Sequence, residues 1–296
     1  MAAAGTTVVE VGRVERDRSP WREASRRLQR NRAAIVGLAV IGLLLVIGLL
    51  APVVAPYSYY DTSLGNRIQP PSAAHWLGTD DLGRDVLSRI VYGARISLLI
   101  GVLSVGISLA IGLPLGAVAG YAGGLVDSVI MRVMDVMLAF PSFLLAVMIA
   151  GILGPSLANA MIAIGVVQVP RYVRILRASV LSVKAEPFVE AASALGAPSG
   201  RILVRHVVPN CLAPLIVQST LGVASAILEA AGLSFLGLGA QPPSPEWGAM
   251  LASGRNLLQV APWVVTYPGI AILVAVLGFN LFGDGLRDAL DPRLKT

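Results

Sequence analysis

Cysteine, histidine and lysine are scarce in this 296-residue chain, and charge of either sign is thin. A single cysteine, Cys211, rules out an intrachain disulfide and any cysteine metal cluster. The histidines, His75 and His206, lie far apart, so no metal site is expected. Lys184 and Lys295 follow Val183 and Leu294, whereas a phosphate-gripping P-loop needs lysine after glycine in a glycine-rich loop. Charged residues make up only 14% of the chain against 55% apolar, and the mean hydropathy is +0.75. That balance excludes an ordinary soluble domain and identifies a membrane protein.

Uncharged runs cover residues 33–60, 96–126, 136–170, 206–228 and 256–283. About 20 apolar residues suffice to cross a bilayer. The run 136–170 is too long for one helix rising about 1.5 Å per residue, and Gly154-Pro155 near its middle supplies a turn. Two spans there bring the expected total to six transmembrane helices, in an all-α membrane protein with N- and C-termini cytoplasmic. With that topology the inner segments carry eight basic residues between Arg13 and Arg32, one at Arg132, six from Arg171 to Arg205 and three from Arg287 to Lys295. The outer segments carry four from Arg67 to Arg95 and one at Arg255. Eighteen of 23 thus face inside, the distribution that the positive-inside rule requires. The basic balance therefore reflects orientation and not nucleic acid. The first span follows a 32-residue arm, is too long for a signal-peptide core, and is expected to be a permanent anchor.

The chain divides at about residue 32. In the arm 1–32, Arg22, Arg26, Arg27 and Arg30 recur at helical spacing around Leu28, as in a helix attracted to anionic membrane lipid or a solvated start that only sets orientation. Residues 33–296 form the transmembrane domain. Within its second span Gly112, Gly116 and Gly120 share one helical face, suiting close helix packing or the lining of a path, and Pro114 should bend the helix. An outer segment places Asp80, Asp81, Arg84, Asp85 and Arg89 at spacings of three and four, as in a braced surface helix. A second begins at Pro242-Pro243, with Glu246-Trp247 opening a short helix. Each is either a docking surface or an ordered loop. Arg132 and Asp135, three apart near the inner end of the third span, are expected to pair with each other.

One stretch breaks the apolar pattern differently. In "VEAASALGAPSGRILVRHVVPN", Glu190-Ala191-Ala192 open a short helix with Ala191, Ala194 and Leu195 on one side, and Gly196 offers a stop that needs no Cβ. A turn follows, then a second helix carrying Arg201 and Arg205 one turn apart and running to Pro209. Small residues on a protruding finger let a partner's groove come close, and the arginines can meet acidic rim residues.

The spacing of Glu190-Ala191-Ala192, Gly196 and Pro209 resembles the EAA motif of ABC-importer permease subunits. "HWLGTDDLGRDVLSRIVYGARISL", "MRVMDVMLAFPS", "ILEAAGLSFLGLGAQPPSPEWGAML" and "NLFGDGLRDALDPRLK" extend the likeness to the C-type permease subunits of dipeptide/oligopeptide importers, over nearly everything from about Asn31 onward. The general motif has isoleucine and leucine before the proline where this chain has His206 and Val208, a departure in keeping with the peptide branch. The resemblance implies a type I ABC-importer permease fold, with the permease core at about 95–290 and a cytoplasmic coupling loop at about 185–210. It implies a homologous second permease, two ATP-binding subunits and an extracytoplasmic substrate-binding protein, in a bacterial or archaeal cell (inner) membrane. It also implies that this chain is no enzyme and binds no cofactor, ATP and Mg belonging to the partner subunits. Glu190, Ala191, Ala192, Gly196, Arg201, Arg205 and Pro209 would then couple to an ATPase.

Glu229 follows a 23-residue uncharged run, and a carboxylate in hydrocarbon needs a partner or a water-filled cavity. It is either a gate or path residue, together with Ser219 and Thr220, or a buried structural bond. An ion-gradient-driven secondary transporter would share the apolar spans but lack the finger, and a membrane scaffold fits poorly with so many glycines and prolines in the spans. Within the resembled family, nickel, glutathione and sugar-oligomer importers share these motifs, so peptide is an expectation at family level.

Overall fold

A computed structural model of the chain describes residues 25–290, and no strand forms among them. The membrane-surface reading of Arg22 and the arm before Ser25 lies outside the described residues.

Helix α1 is Arg32–Leu49, started by Asn31, whose side chain accepts from the Ala34 amide at 3.2 Å. A single turn, Ala51–Val54, continues it. Residues 57–85 then run without long regular structure until Asp85 caps α2, Val86–Ala122, by accepting from the Ser88 amide at 2.8 Å. At 37 residues α2 is about 55 Å long, more than the apolar thickness of a bilayer. It stops at Gly123 and Gly124, whose φ of 67° and 56° lie in the left-handed region that glycine tolerates. Helix α3, Gly124–Leu138, meets α4, Ser142–Leu153, at 90° across Pro141. Gly154, at φ 91°, turns the chain, and Ser156 caps α5, Leu157–Lys184. The short α6, Pro187–Ala194, precedes an irregular helical stretch leading into α7, Leu212–Phe235. Helices α8, Trp247–Gly254, and α9, Trp263–Leu290, complete the described chain.

Glycine fixes how the helices approach. On α2, a Cβ at Gly112 would stand 2.7 Å from Cβ of Tyr172, one at Gly116 2.8 Å from the Val173 carbonyl, and one at Gly120 2.8 Å from Cβ of Val180. The three glycines therefore pack α2 against α5, and because both sets of numbers rise together the two helices run parallel. Val105 and Gly101 of α2 meet Gly222 and Val223 of α7, which runs the opposite way. Gly37 of α1 abuts Gly278 and Phe282 of α9, while Ala34 abuts Gly285. The start of α1 and the end of α9 therefore lie at one end of the bundle.

Four helical stretches are long and apolar enough to cross a membrane, Arg32–Leu49, Val86–Ala122, Ser199–Phe235 and Trp263–Leu290; five if the bent pair α3 and α4 counts as one span. The third span expected from residue 136 is corrected here. Residues 136–138 finish α3, and α4 has only 12 residues, about 18 Å, too short to cross alone. The turn expected at Gly154-Pro155 is present.

The expected pair of Arg132 with Asp135 does not form. Asp135 instead bonds Arg174 Nη2 at 2.6 Å, and Asp127 takes both Nε and Nη2 of Arg177, at 2.5 and 2.6 Å. Both pairs tie α3 to α5, which local spacing could not reveal. Of the expected surface helix over residues 80–89, residues 80–85 are instead a tight turn, with Gly83 at φ 74°, and only the part from Val86 is helical; Asp80, Arg84, Asp85 and Arg89 are buried. Asp80 Oδ2 accepts from Arg84 Nε at 2.6 Å, and Arg89 lies 3.6 Å from the same oxygen. Arg89 also donates to the carbonyls of Tyr59 and Ser244, at 3.1 and 3.4 Å. Trp247 Nε1 donates to Ile90 O and Trp263 Nε1 to Thr79 O, so this end of the bundle is stitched from four separate segments.

Candidate functional site

The loop between α5 and α7 protrudes from the end of the bundle where α1 begins, because α2 and α5 both end there. Pro187 opens α6 with a φ suited to a first helical turn and no amide to waste. The helix starts three residues before Glu190, which stands exposed in the first turn, near the positive end of the helix dipole. The N-cap residue, Glu186, makes no side-chain cap bond. At the other end Gly196 takes φ 80°, with its amide bonded to Ser193 O at 2.9 Å and the Ala197 amide bonded to Ala192 O at 3.2 Å. That pairing closes the helix as a Schellman motif. A Cβ on Gly196 would meet nothing within 4 Å, so backbone conformation and not space requires glycine.

The finger has two faces. Val189 and Ile202 are buried in the cluster that also holds Leu176, Val180, Val207 and Cys211, with Ala192 and Ala197 packed on it. On the opposite face Glu190, Ala191, Ala194 and the arginines Arg201 and Arg205 are exposed, and Leu195 is 89% exposed. An almost bare leucine at the tip of a helix with a firmly held base is a surface awaiting a partner. The base is held further by Lys184 Nζ, which donates to Tyr121 O at 2.7 Å and lies over the Tyr121 ring.

The second helix expected from Arg201 is only partly regular. Ser199–Ile202 is α-helical, Leu203–Val207 widens to a π-turn and Val208–Cys211 tightens to a 3-10 turn. Pro209 explains the change: without an amide hydrogen it cannot continue the α pattern, and the widened turn absorbs the fault.

Ser219, Thr220 and Glu229 lie on α7 but are not gathered together. Ser219 Oγ and Thr220 Oγ1 donate to carbonyls four residues back, Leu215 at 2.7 Å and Ile216 at 3.0 Å. Glu229 is about 15 Å further along the helix. It stands instead beside the carboxamide of Gln168 on α5 and within electrostatic reach of Arg171. The two groups approach each other without reaching standard hydrogen-bond geometry, which leaves Glu229 Oε2 and both amide atoms of Gln168 unsatisfied. Tyr172 seals the same seam, its Oη donating weakly to Gln218 O at 3.5 Å. Gln168, Arg171 and Tyr172 escaped the sequence reading. Their signal was a glutamine, one of two amides with Asn159 inside a 35-residue uncharged run, and the first cation ending it. Among the described residues no group of histidine, cysteine, aspartate or glutamate is arranged to hold a metal.

Comparison with known proteins bears on this architecture. Residues 112–296 match the family described as binding-protein-dependent transport system inner membrane component, and residues 19–71 match the N-terminal transmembrane domain of oligopeptide transport permease C. The chain is 55% identical over 278 residues to the dipeptide transport system permease protein DppC of Alkalihalophilus pseudofirmus, covering 94% of this chain and 91% of the relative. It is 52% identical over 283 residues to DppC of Escherichia coli, covering 94% of each. It is 45% identical over 282 residues to the glutathione transport system permease protein GsiD of Pectobacterium atrosepticum, covering 94% of this chain and 93% of the relative. Among solved structures, the MetNI methionine ABC transporter in an inward facing conformation aligns with a TM-score of 0.56 at 19% identity, over 69% of this chain and 96% of that chain. At that identity the likeness is one of fold.

Proposed function

Because the chain belongs to the family of inner membrane components of binding-protein-dependent transport systems, we propose that it is the C-type permease subunit of an ATP-driven importer of di- and oligopeptides. It works with a homologous second permease, two ATP-binding subunits and an external binding protein, in the inner membrane of a prokaryotic cell. ATP and Mg are held by the ATP-binding subunits, and this chain contributes no cofactor site. The peptide substrate rests on the names of relatives such as the two DppC proteins; the GsiD relative keeps glutathione as the second substrate reading.

The parallel run of α2 and α5 supports six crossings. If α2 crosses, the chain must return once before α5 can descend beside it, and the bent pair α3 and α4 is the segment available for that return. Helix α5 is then a span despite its arginines; acids on α3 lower the cost of depth for Arg174 and Arg177. Six crossings place both termini and the α5–α7 loop on one side, which the basic residues mark as cytoplasmic.

The observation carrying the coupling role is the α6 finger: bare Leu195 outside, Val189 and Ile202 locked inside. An ATPase cleft closing on it pushes α5 and α7 together and shifts the bundle between inward-open and outward-open states. Glu190, Ala191 and Ala192 form the seat, Gly196 the turn, Arg201 and Arg205 the rim, and Pro209 the joint to α7. Ser219 and Thr220 lie along the part of α7 that moves, with Glu229 in its far half. The test is uptake of labelled dipeptide into vesicles carrying the full importer. Uptake that needs the ATP-binding subunits and ATP enclosed with them in the vesicle lumen supports the reading; uptake by the permease alone on an ion gradient refutes it.

A further inference from the structure

The seam between α5 and α7 holds a set of polar atoms that the fold does not use. Gln168 is 2% exposed, yet neither its amide nitrogen nor its oxygen has a hydrogen-bond partner. Glu229 approaches it across the seam, half-buried, and its Oε2 likewise lacks a hydrogen bond of standard geometry. Each such atom gives up its hydration without a compensating bond, and an apolar side chain of similar shape would avoid that. The seam is also narrow by construction: a Cβ on Gly222 would stand 2.6 Å from Tyr172 Oη and 3.3 Å from Gln168 Oε1.

Arg171 adds an independent sign of an absent partner. Three arginines follow one another along α5, and two of them have acids: Arg174 with Asp135 and Arg177 with Asp127. Arg171 forms no ion pair among the described residues, lies exposed beside the seam, and feels the charge of Glu229. An unpaired guanidinium and an unpaired carboxylate in one helix pair do not face lipid. Arranged about a carboxamide with a spare donor and a spare acceptor, they match the two ends and the peptide group of a zwitterion.

We infer that Glu229, Gln168 and Arg171 form a station for the transported solute inside the bilayer, taking in that order the ammonium end, a peptide group and the carboxylate end of a short peptide when α5 and α7 part. The assignment rests on the peptide reading above and names the side chains that would serve it. In the closed seam seen here the unpaired atoms destabilise the packing, which favours opening; in the open seam they are free to bind.

The test uses the complete importer reconstituted in vesicles, with Gln168→Leu, Glu229→Gln and Arg171→Gln. Three quantities are read: thermal unfolding of the complex, ATP hydrolysis stimulated by loaded binding protein, and uptake of a radiolabelled dipeptide. Gln168→Leu is expected to melt no lower than the unaltered complex while uptake falls about tenfold, the upper end of what loss of one neutral hydrogen bond gives. Glu229→Gln and Arg171→Gln are expected to keep stimulated ATP hydrolysis and lose uptake to a similar degree, with Glu229→Asp and Arg171→Lys restoring part of it. A lower melting temperature in Gln168→Leu would make the seam structural and overturn the assignment, as would separation of the two permeases in Arg171→Gln. Equal dipeptide uptake in all three variants overturns this assignment alone. An unaltered importer that hydrolyses ATP but moves no dipeptide overturns the substrate reading and this assignment with it.

Discussion

Replacing Asp80 by alanine should destabilise the subunit more than any comparable surface change, although the residue lies in a turn. Its Oδ1 accepts from the amides of Leu82 and Arg84, both at 2.9 Å, and its Oδ2 from Arg84 Nε at 2.6 Å, with Arg89 3.6 Å away. Arg84 and Arg89 are 5% and 3% exposed, so removal of the carboxylate leaves two guanidinium groups enclosed with little counter-charge. Asp81, 3.6 Å from Arg84, offers partial relief because it is the more exposed acid. Breaking a buried ion pair from one side costs about 3–5 kcal/mol, and the orphaned amides add to it. Because Arg89 also holds Tyr59 and Ser244, the loss should spread to the loop before α8. Asp80→Asn keeps an acceptor for the two amides but not the charge, and should fall between the two. Thermal unfolding of the detergent-solubilised complex reads the effect. A loss under about 1 kcal/mol for Asp80→Ala, the value of a solvent-screened pair, would refute the buried-network reasoning.

Gly116→Leu should separate α2 from α5, since even a Cβ there stands 2.8 Å from the Val173 carbonyl, and overpacking of this kind costs about 1–3 kcal/mol; folded yield after solubilisation checks it. The Asp127–Arg177 pair should tolerate exchange: Asp127→Arg alone lowers stability, and adding Arg177→Asp restores much of it, whereas two additive losses would show that the pair carries no coupling. Burial pushes the Glu246 carboxyl above its ordinary range, against the opposing pull of the Gly248 and Ala249 amides that it caps and of the Ser234 hydroxyl. Its proton is therefore held more tightly folded than unfolded. That contribution is complete below the free carboxyl value of 4.5 and is lost as pH rises through the raised folded value. Melting temperature between about pH 4 and 8 should decline less in Glu246→Gln, which retains an acceptor for the cap without the charge.

Much of this was legible in the sequence where the cause is local. The uncharged runs before Leu49, within α2, within α7 and within α9 each mark a long helix, because nothing but length and apolarity decides a crossing. Gly196 could be read as a helix stop because a left-handed residue after a short alanine-rich helix is a local requirement. Gly112, Gly116 and Gly120 announced close packing by their period, though not that α5 was the neighbour.

What escaped the reading depends on contacts between distant segments. Charge bounds the third run at Val136, yet the helix that runs into it begins at Gly124, and its acids are neutralised by Arg174 and Arg177. Three- and four-residue spacings over Asp80 to Arg89 suit a helix, yet the chain turns at Gly83 and the helix starts only at Val86, and the burial of both arginines depends on segments far away in the chain. The Gln168–Glu229 seam was half visible: Glu229 stood out as a charge in an apolar stretch, but its neighbour is 61 positions earlier by sequence number and carries no charge.

The central claim is that a separate ATPase grips the α6 finger, and Leu195→Asp tests it most directly. Leu195 is 89% exposed, so the substitution leaves the subunit's own packing intact. The account expects the variant permease to fold and pair with its permease partner while losing co-purification of the ATP-binding subunits and dipeptide-stimulated ATP hydrolysis. Retention of both at the unaltered level would contradict it.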